Sequence, residues 1–200
     1  MRIAVLGGTF DPIHLGHVQV ADQVAAALDL DQVIFVPAGR PWMKPQPLAS
    51  ADDRLAMVEL AIGHDERFIS SRVDLDRPGP TYAVDTIGDL RQERGLSHPG
   101  EDASWYFIVG ADALADFMHW HRPEQILQLA HVIGVNRPGT IQQPPPIPPE
   151  RLSLLEIDAM DVSSSMIRDL VRRGASIEAL VEASVDDYIR EHGLYRDAST

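Results

Sequence analysis

Cysteine is absent from this 200-residue chain, and lysine occurs once, as Lys44, among seventeen basic residues. Without cysteine there is no disulfide scaffold, no thiolate metal site and no thiol nucleophile. No apolar run approaches the roughly 20 residues that a membrane-spanning helix needs. Positive charge is scarce as well. A net charge of −13 repels polyanions over the surface as a whole, which disfavours a protein living on DNA or RNA and leaves room for small anions. The first residues enter an amphipathic pattern without the h-region of a signal peptide, so the cytoplasm is the expected compartment.

The composition itself is that of a globular protein, with 44% hydrophobic and 24% charged residues. Two hundred residues suit one domain with enough chain for a core and a cleft. Short apolar runs at 2–6, 33–37, 68–75, 105–110, 131–139 and 152–157 read as strands, several of them continuous as when both faces of a sheet are covered. Helical patterns fall at 15–29, 51–63, 82–94 and 123–130, the second opened by Ser50 with Asp53 three residues on, and further ones run from Ser164 to His192. Strand and helix in alternation predict an α/β fold: a doubly wound, mostly parallel sheet with helices on both faces and a small helical C-terminal part at 164–196. The stretch 138–149 is Pro-rich and reads as an extended surface loop within the same domain.

One stretch carries chemistry: "GGTFDPIHLGH", Gly7 to His17, between the first strand and the first helix. In such a sheet ligands sit beyond the carboxyl ends of the strands, where helix N-termini present unpaired N–H groups to anions. Gly7 and Gly8 would let the backbone approach a phosphate closely, although two glycines alone better suit a plain strand-to-helix turn. There is no G-x-G-x-x-G and no G-K-[ST]. His14 and His17, three residues apart, can face the same side of the helix start and donate hydrogen bonds to phosphate oxygens, or stabilise developing charge when protonated. They lack the spacing of a zinc-binding helix, so no protein-held metal is expected. A second stretch, "DVSSSMIRDL" (161–170), puts hydroxyls at a helix start with Arg168 one turn in, able to fork onto phosphate oxygens.

Both stretches resemble the two signatures of the nucleotidyltransferase superfamily that contains nicotinate-nucleotide, pantetheine-phosphate and cytidylyl transferases: G-x-F-x-P-x-H-x-G-H and I-S-S-T-x-I-R. The middle of the chain narrows the resemblance. "GPTYAVDTIGDLR" (79–91), "FIVGADAL" (107–114), Trp120 in "FMHWHRPEQI" and "IREHGLYR" (189–196) resemble, in order and spacing, segments of bacterial nicotinate-nucleotide adenylyltransferases. Small departures accompany the match: Met43 stands where many relatives have histidine, Ser165 where threonine is commoner, His121 where an aromatic hydroxyl is frequent, and Glu182 where proline is often seen.

The resemblance implies transfer of the adenylyl group of ATP to nicotinate mononucleotide, giving deamido-NAD and pyrophosphate, with Mg²⁺ carried on the ATP phosphates. It implies that Gly7, Gly8, Thr9, Phe10, His14 and His17 line those phosphates, with Gly110 also on the ATP side. Ser164, Ser165 and Arg168 would hold the β,γ end and Ile167 would border the adenine. Asp11 and Lys44 would lie near the reacting phosphates, a compact ammonium suiting a phosphate that must move. Thr81, Tyr82, Trp120 and His121 would form the pyridine pocket, the indole face stacking on a cationic ring. Asp112 would accept from the ribose hydroxyls, and it also has the position of a helix N-cap before "ALADFM". His14, His17, Lys44 and Arg168 are the expected catalytic set. Pantetheine-phosphate adenylyl transfer and a non-catalytic nucleotide-binding module are the rival readings, and the oligomeric state, a homo-oligomer included, is left open.

Overall fold

The computed structural model describes residues 1–41, 46–94, 103–136, 145–158 and 160–196. In chain order the elements are β1 (Arg2–Gly8), α1 (Leu15–Leu28), β2 (Gln32–Pro37), α2 (Ala51–Ile62), β3 (Phe68–Ser70), α3 (Val73–Asp76), α4 (Ala83–Glu93), β4 (Ser104–Gly110), α5 (Ala111–Ala115), α6 (Pro123–Leu129), β5 (His131–Asn136), β6 (Leu152–Glu156), α7 (Ser164–Arg172) and α8 (Ala183–Glu191). Among the described residues the strands form one sheet of six, in the order β3-β2-β1-β4-β5-β6. Every pairing is parallel. Among the described residues no helix is long and apolar enough to cross a membrane.

Strand period and two-sided burial explain the layers. On β1, Ala4 and Leu6 point into a core shared with Ala21 of α1, Val58 of α2, Ile167 of α7 and Val185 of α8. Ile3 and Val5 point the other way, into a core with Val73 of α3, Ile87 of α4, Leu114 of α5 and Ile126 of α6. Alternate side chains of a strand face opposite sides, so a run such as "RIAVL" must be apolar throughout to feed both layers. The order reverses at β1, which has β2 on one side and β4 on the other. A doubly wound sheet opens its crevice there, at the carboxyl ends of β1 and β4.

The helix predictions fit closely, and Ser50 caps α2 by accepting from the Asp53 amide at 3.1 Å. Two boundaries differ. Patterning predicts a strand over 68–75, but β3 ends at Ser70 and Val73–Asp76 winds into a helical turn. Among the described residues β3, at the sheet edge, pairs with β2 alone; the Ser71 amide makes the last bond to that strand, to the Phe35 carbonyl at 3.0 Å, and beyond it the Leu75 and Asp76 amides turn back to the Arg72 carbonyl. The helical C-terminal stretch breaks at Gly174, whose φ of 68° is easily reached only by a residue without a Cβ. Residues 137–144 of the Pro-rich loop lie outside the described residues.

Candidate active site

The segment leaving β1 is fixed by what takes its carbonyls. Arg54, only 1% exposed on the inward face of α2, donates from Nη1 to the Thr9 carbonyl at 2.7 Å. Arg168 Nη1 donates to the Asp11 carbonyl at 2.7 Å and Ser164 Oγ to the Pro12 carbonyl at 2.8 Å. A peptide's C=O and the following N–H point in opposite directions, so drawing the Thr9 carbonyl inward turns the Phe10 amide outward. Phe10 adopts a left-handed φ of 49°, with its ring buried. That ring passes so close to Gly8 that a Cβ there would meet it at 2.8 Å, which explains the second glycine.

His14 is the N-cap of α1 and His17 stands three residues on. The rings stack with centroids 3.7 Å apart, and His17 Nδ1 accepts from the His14 amide at 3.3 Å. Acceptance at Nδ1 places the neutral His17 proton on Nε2, which makes that edge a donor. Phe10 backs His17 edge-on at 5.0 Å. Gly16 leaves room between the histidines: a Cβ would come within 3.0 Å of Val162 and 3.2 Å of the His14 ring, close enough that both neighbours would have to shift by a few tenths of an ångström. His14 itself is buried, and its Nδ1 meets no hydrogen-bonding partner among the described residues.

Burial pulls the His14 pKa from 6.5 down to about 4, which keeps the ring neutral near pH 7. The linkage has a definite sign. Between pH 6.5 and 4 the unfolded chain holds more protons than the folded one, so stability falls as the pH falls through that window. The loss attributable to this group is roughly 3 kcal/mol. Thermal melts across the window should therefore show a shallower pH dependence for His14→Asn than for the unsubstituted protein, and identical slopes would refute the burial effect.

Sequence reasoning places Asp11 beside the reacting phosphates, but its carboxylate faces inward. At 4% exposure it accepts from the Leu48 amide (2.8 Å), the Ala49 amide (3.0 Å) and Tyr195 Oη (2.9 Å). Asp11 thus serves to hold the loop. Ile167 is likewise fully buried in the core, so its side chain is not open to an adenine ring. Ser163, one residue earlier than the hydroxyls singled out by sequence, caps α7 by accepting from the Met166 amide. Ser165 is exposed at the helix start and accepts from Arg168 Nη2 at 3.3 Å. Lys44 lies outside the described residues.

Across the β1 end from the histidines is a cavity of about 480 Å³ walled by Gly7, Gly8, Thr9, Thr81, Asp112 and Trp120, among others. Thr81 fastens its rim, accepting at Oγ1 from the Gly39 and Arg40 amides, both at 3.1 Å, while its own amide donates to the Arg40 carbonyl. Trp120 is braced by Phe117 at 5.2 Å and by Phe107, edge-on at 6.1 Å. His121 stacks on Tyr82 at 4.2 Å, which joins two of the residues assigned to the pocket. Asp112 lines the cavity without capping α5; Gly110 at the end of β4 is the N-cap, a correction to the second reading of that aspartate.

Sequence reasoning missed Asp74 and Thr86, which also line the cavity. Asp74 is 3% exposed, accepts from Thr86 Oγ1 and pairs with Arg77; burial pushes its carboxyl up to about 6. Arg54 was missed as well. Its signal was a charged residue at an apolar helical position, beside Leu55 and three before Met57.

The sequence model of the cytidylyltransferase-like family matches residues 5–170. A protein of Acidothermus cellulolyticus named "Probable nicotinate-nucleotide adenylyltransferase" is 49% identical over 200 residues, spanning 98% of this chain and 94% of its own. One of the same name from Saccharopolyspora erythraea is 47% identical, spanning 98% of this chain and 90% of its own. Among solved structures, the Plasmodium falciparum nicotinic acid mononucleotide adenylyltransferase complexed with NaAD superposes with a TM-score of 0.74 at 21% identity, each chain covered to 97%, which speaks for the fold.

Proposed function

The chain belongs to the nicotinate-nucleotide adenylyltransferases of the cytidylyltransferase-like family, and from that membership we propose how its cleft moves the adenylyl group of ATP onto nicotinate mononucleotide. The observation that supports this most directly is that Gly7, Gly8 and Thr9 belong both to the segment leading to the histidine pair and to the wall of the aromatic cavity. Two ligands, one on each side of that short backbone, would have their phosphates meet over it.

A 5′-phosphate oxygen of the mononucleotide attacks the α-phosphorus of ATP. The bond to the bridging oxygen of the β-phosphate breaks in line, and pyrophosphate leaves with the electron pair. The nucleophile is already anionic, so no general base is needed. Catalysis consists of alignment and neutralisation of charge. His17 Nε2–H and His14 donate to phosphate oxygens from the start of α1, whose dipole adds to the effect. Arg168 and Ser165 hold the far end of the triphosphate, and Lys44 follows the moving phosphate. Trp120, backed by Phe117 and Phe107, stacks on the pyridinium, and Asp112 accepts from ribose hydroxyls. Mg²⁺ would arrive on the ATP phosphates and would neutralise charge there alongside His14, His17 and Arg168.

The test is pyrophosphate release from ATP and Mg²⁺ with nicotinate mononucleotide, nicotinamide mononucleotide or phosphopantetheine as acceptor. Turnover with the nicotinate form well above the other two is the expected result. Preference for phosphopantetheine would reassign the acceptor, and silence with all three would leave a nucleotide-binding module.

A further inference from the structure

We propose that Tyr195, near the C-terminus, is a positioning residue for the ATP phosphates, acting through Asp11, so that the tail of the chain sets affinity for ATP and not for the pyridine mononucleotide. The inference rests on the proposed function for the identity of the ligand on the histidine side.

Residues 9–12 have their polar groups held by four separate parts of the chain. Arg54 of α2 takes the Thr9 carbonyl, and Arg168 and Ser164 of α7 take those of Asp11 and Pro12. The Leu48 and Ala49 amides take the Asp11 carboxylate. Tyr195 Oη is the fourth, donating to Asp11 Oδ1 at 2.9 Å across 184 residues of sequence. It is the contribution of the segment beyond residue 170, where the family match ends. Burial and the adjoining Asp11 carboxylate raise the Tyr195 pKa, which keeps the phenol protonated and donating.

The tail is built to deliver that hydroxyl. Tyr188 Oη reaches Asp53 at 3.0 Å and Ser184 Oγ the Leu60 carbonyl at 3.2 Å, which fastens α8 along α2. Gly193 and then Tyr195 adopt left-handed φ values of 62° and 61°, doubling the chain back toward β1. Leu194 packs against the core between them. A tail that needed only apolar anchorage would have no use for a phenol hydroxyl on a buried carboxylate. A loop of residues 9–12 that must keep Phe10 left-handed with its amide outward gains from every tie on Asp11. Loosening this loop alters the phosphate side, whereas the far wall of the cavity, carried by Thr81 and Trp120, belongs to other elements.

Binding measurements on the full chain separate the alternatives. A non-hydrolysable ATP analogue with Mg²⁺ is titrated calorimetrically, and nicotinate mononucleotide by quenching of tryptophan fluorescence, in the unsubstituted protein, Tyr195→Phe and Leu194→Ala. Tyr195→Phe should weaken the ATP analogue on the order of tenfold, as for a lost hydrogen bond to a charged acceptor, and leave the mononucleotide unchanged. Leu194→Ala, which removes apolar packing and spares the hydroxyl, should lower Tm without that selective loss. Unchanged ATP affinity in Tyr195→Phe would overturn the proposal, and so would an equal weakening of ATP in Leu194→Ala. If the unsubstituted protein binds the ATP analogue yet shows no turnover with nicotinate mononucleotide, the proposed function fails while this comparison still reads the role of Tyr195.

Discussion

Replacing His17 with alanine should lower kcat for adenylyl transfer by about 10²–10³, the loss typical of one donor aimed at transition-state charge, with a smaller change in the KM for ATP. The ring lies against His14 at 3.7 Å and is backed by Phe10 at 5.0 Å, so its Nε2 edge is preorganised. Donation from a fixed group stabilises charge that grows during the reaction without reorganisation at that moment. Stability should suffer less, because the side chain contributes one acceptor to the His14 amide, a cap worth about 1 kcal/mol. Steady-state pyrophosphate release and a thermal melt on the same preparation check both parts. A kcat equal to that of the unsubstituted enzyme would remove His17 from the mechanism.

Gly39→Ala should damage the other half of the site. A Cβ at this position would lie 2.0 Å from the Asp74 carbonyl oxygen, a backbone atom of α3 that no rotamer change can move aside. The segment 39–41 must shift, and with it the amides of Gly39 and Arg40 that bond Thr81 Oγ1 and the bridge from Pro41 to Thr81. Destabilisation should reach the upper end of the overpacking range, about 3 kcal/mol. A displacement of the Thr81 rim by an ångström should lower kcat/KM for nicotinate mononucleotide on the order of a hundredfold. The ATP analogue should bind as before, since the histidine loop is held by Arg54, Arg168 and Ser164. Equal affinity for the mononucleotide in both proteins would show that the rim is not part of its site.

Much of the fold could be read from local pattern. Continuous apolar runs announced β1, β2, β4 and β5, and the Gly-Gly and His-Gly-His spacings marked the end of the sheet where the cleft opens. The residues misjudged or missed are those whose partners are distant in sequence. The resemblance puts Asp11 near the reacting phosphates; its actual partners are residues 48, 49 and 195. Arg54 reaches back to Thr9, and the Asp74–Thr86 contact needs α3, which the apolar run at 68–75 concealed as strand. Burial of a polar group is a tertiary property, so a polar residue in an apolar frame signals only that some partner exists.

The sheet itself divides the two halves of the site. The helices behind the histidine loop pack on one face of β1, and those behind Thr81 and Trp120 pack on the other. A lineage could therefore rebuild the acceptor side, changing which small molecule is adenylylated, while inheriting the triphosphate side intact. The six-stranded partition would then act as the boundary between an inherited half and a rebuilt one.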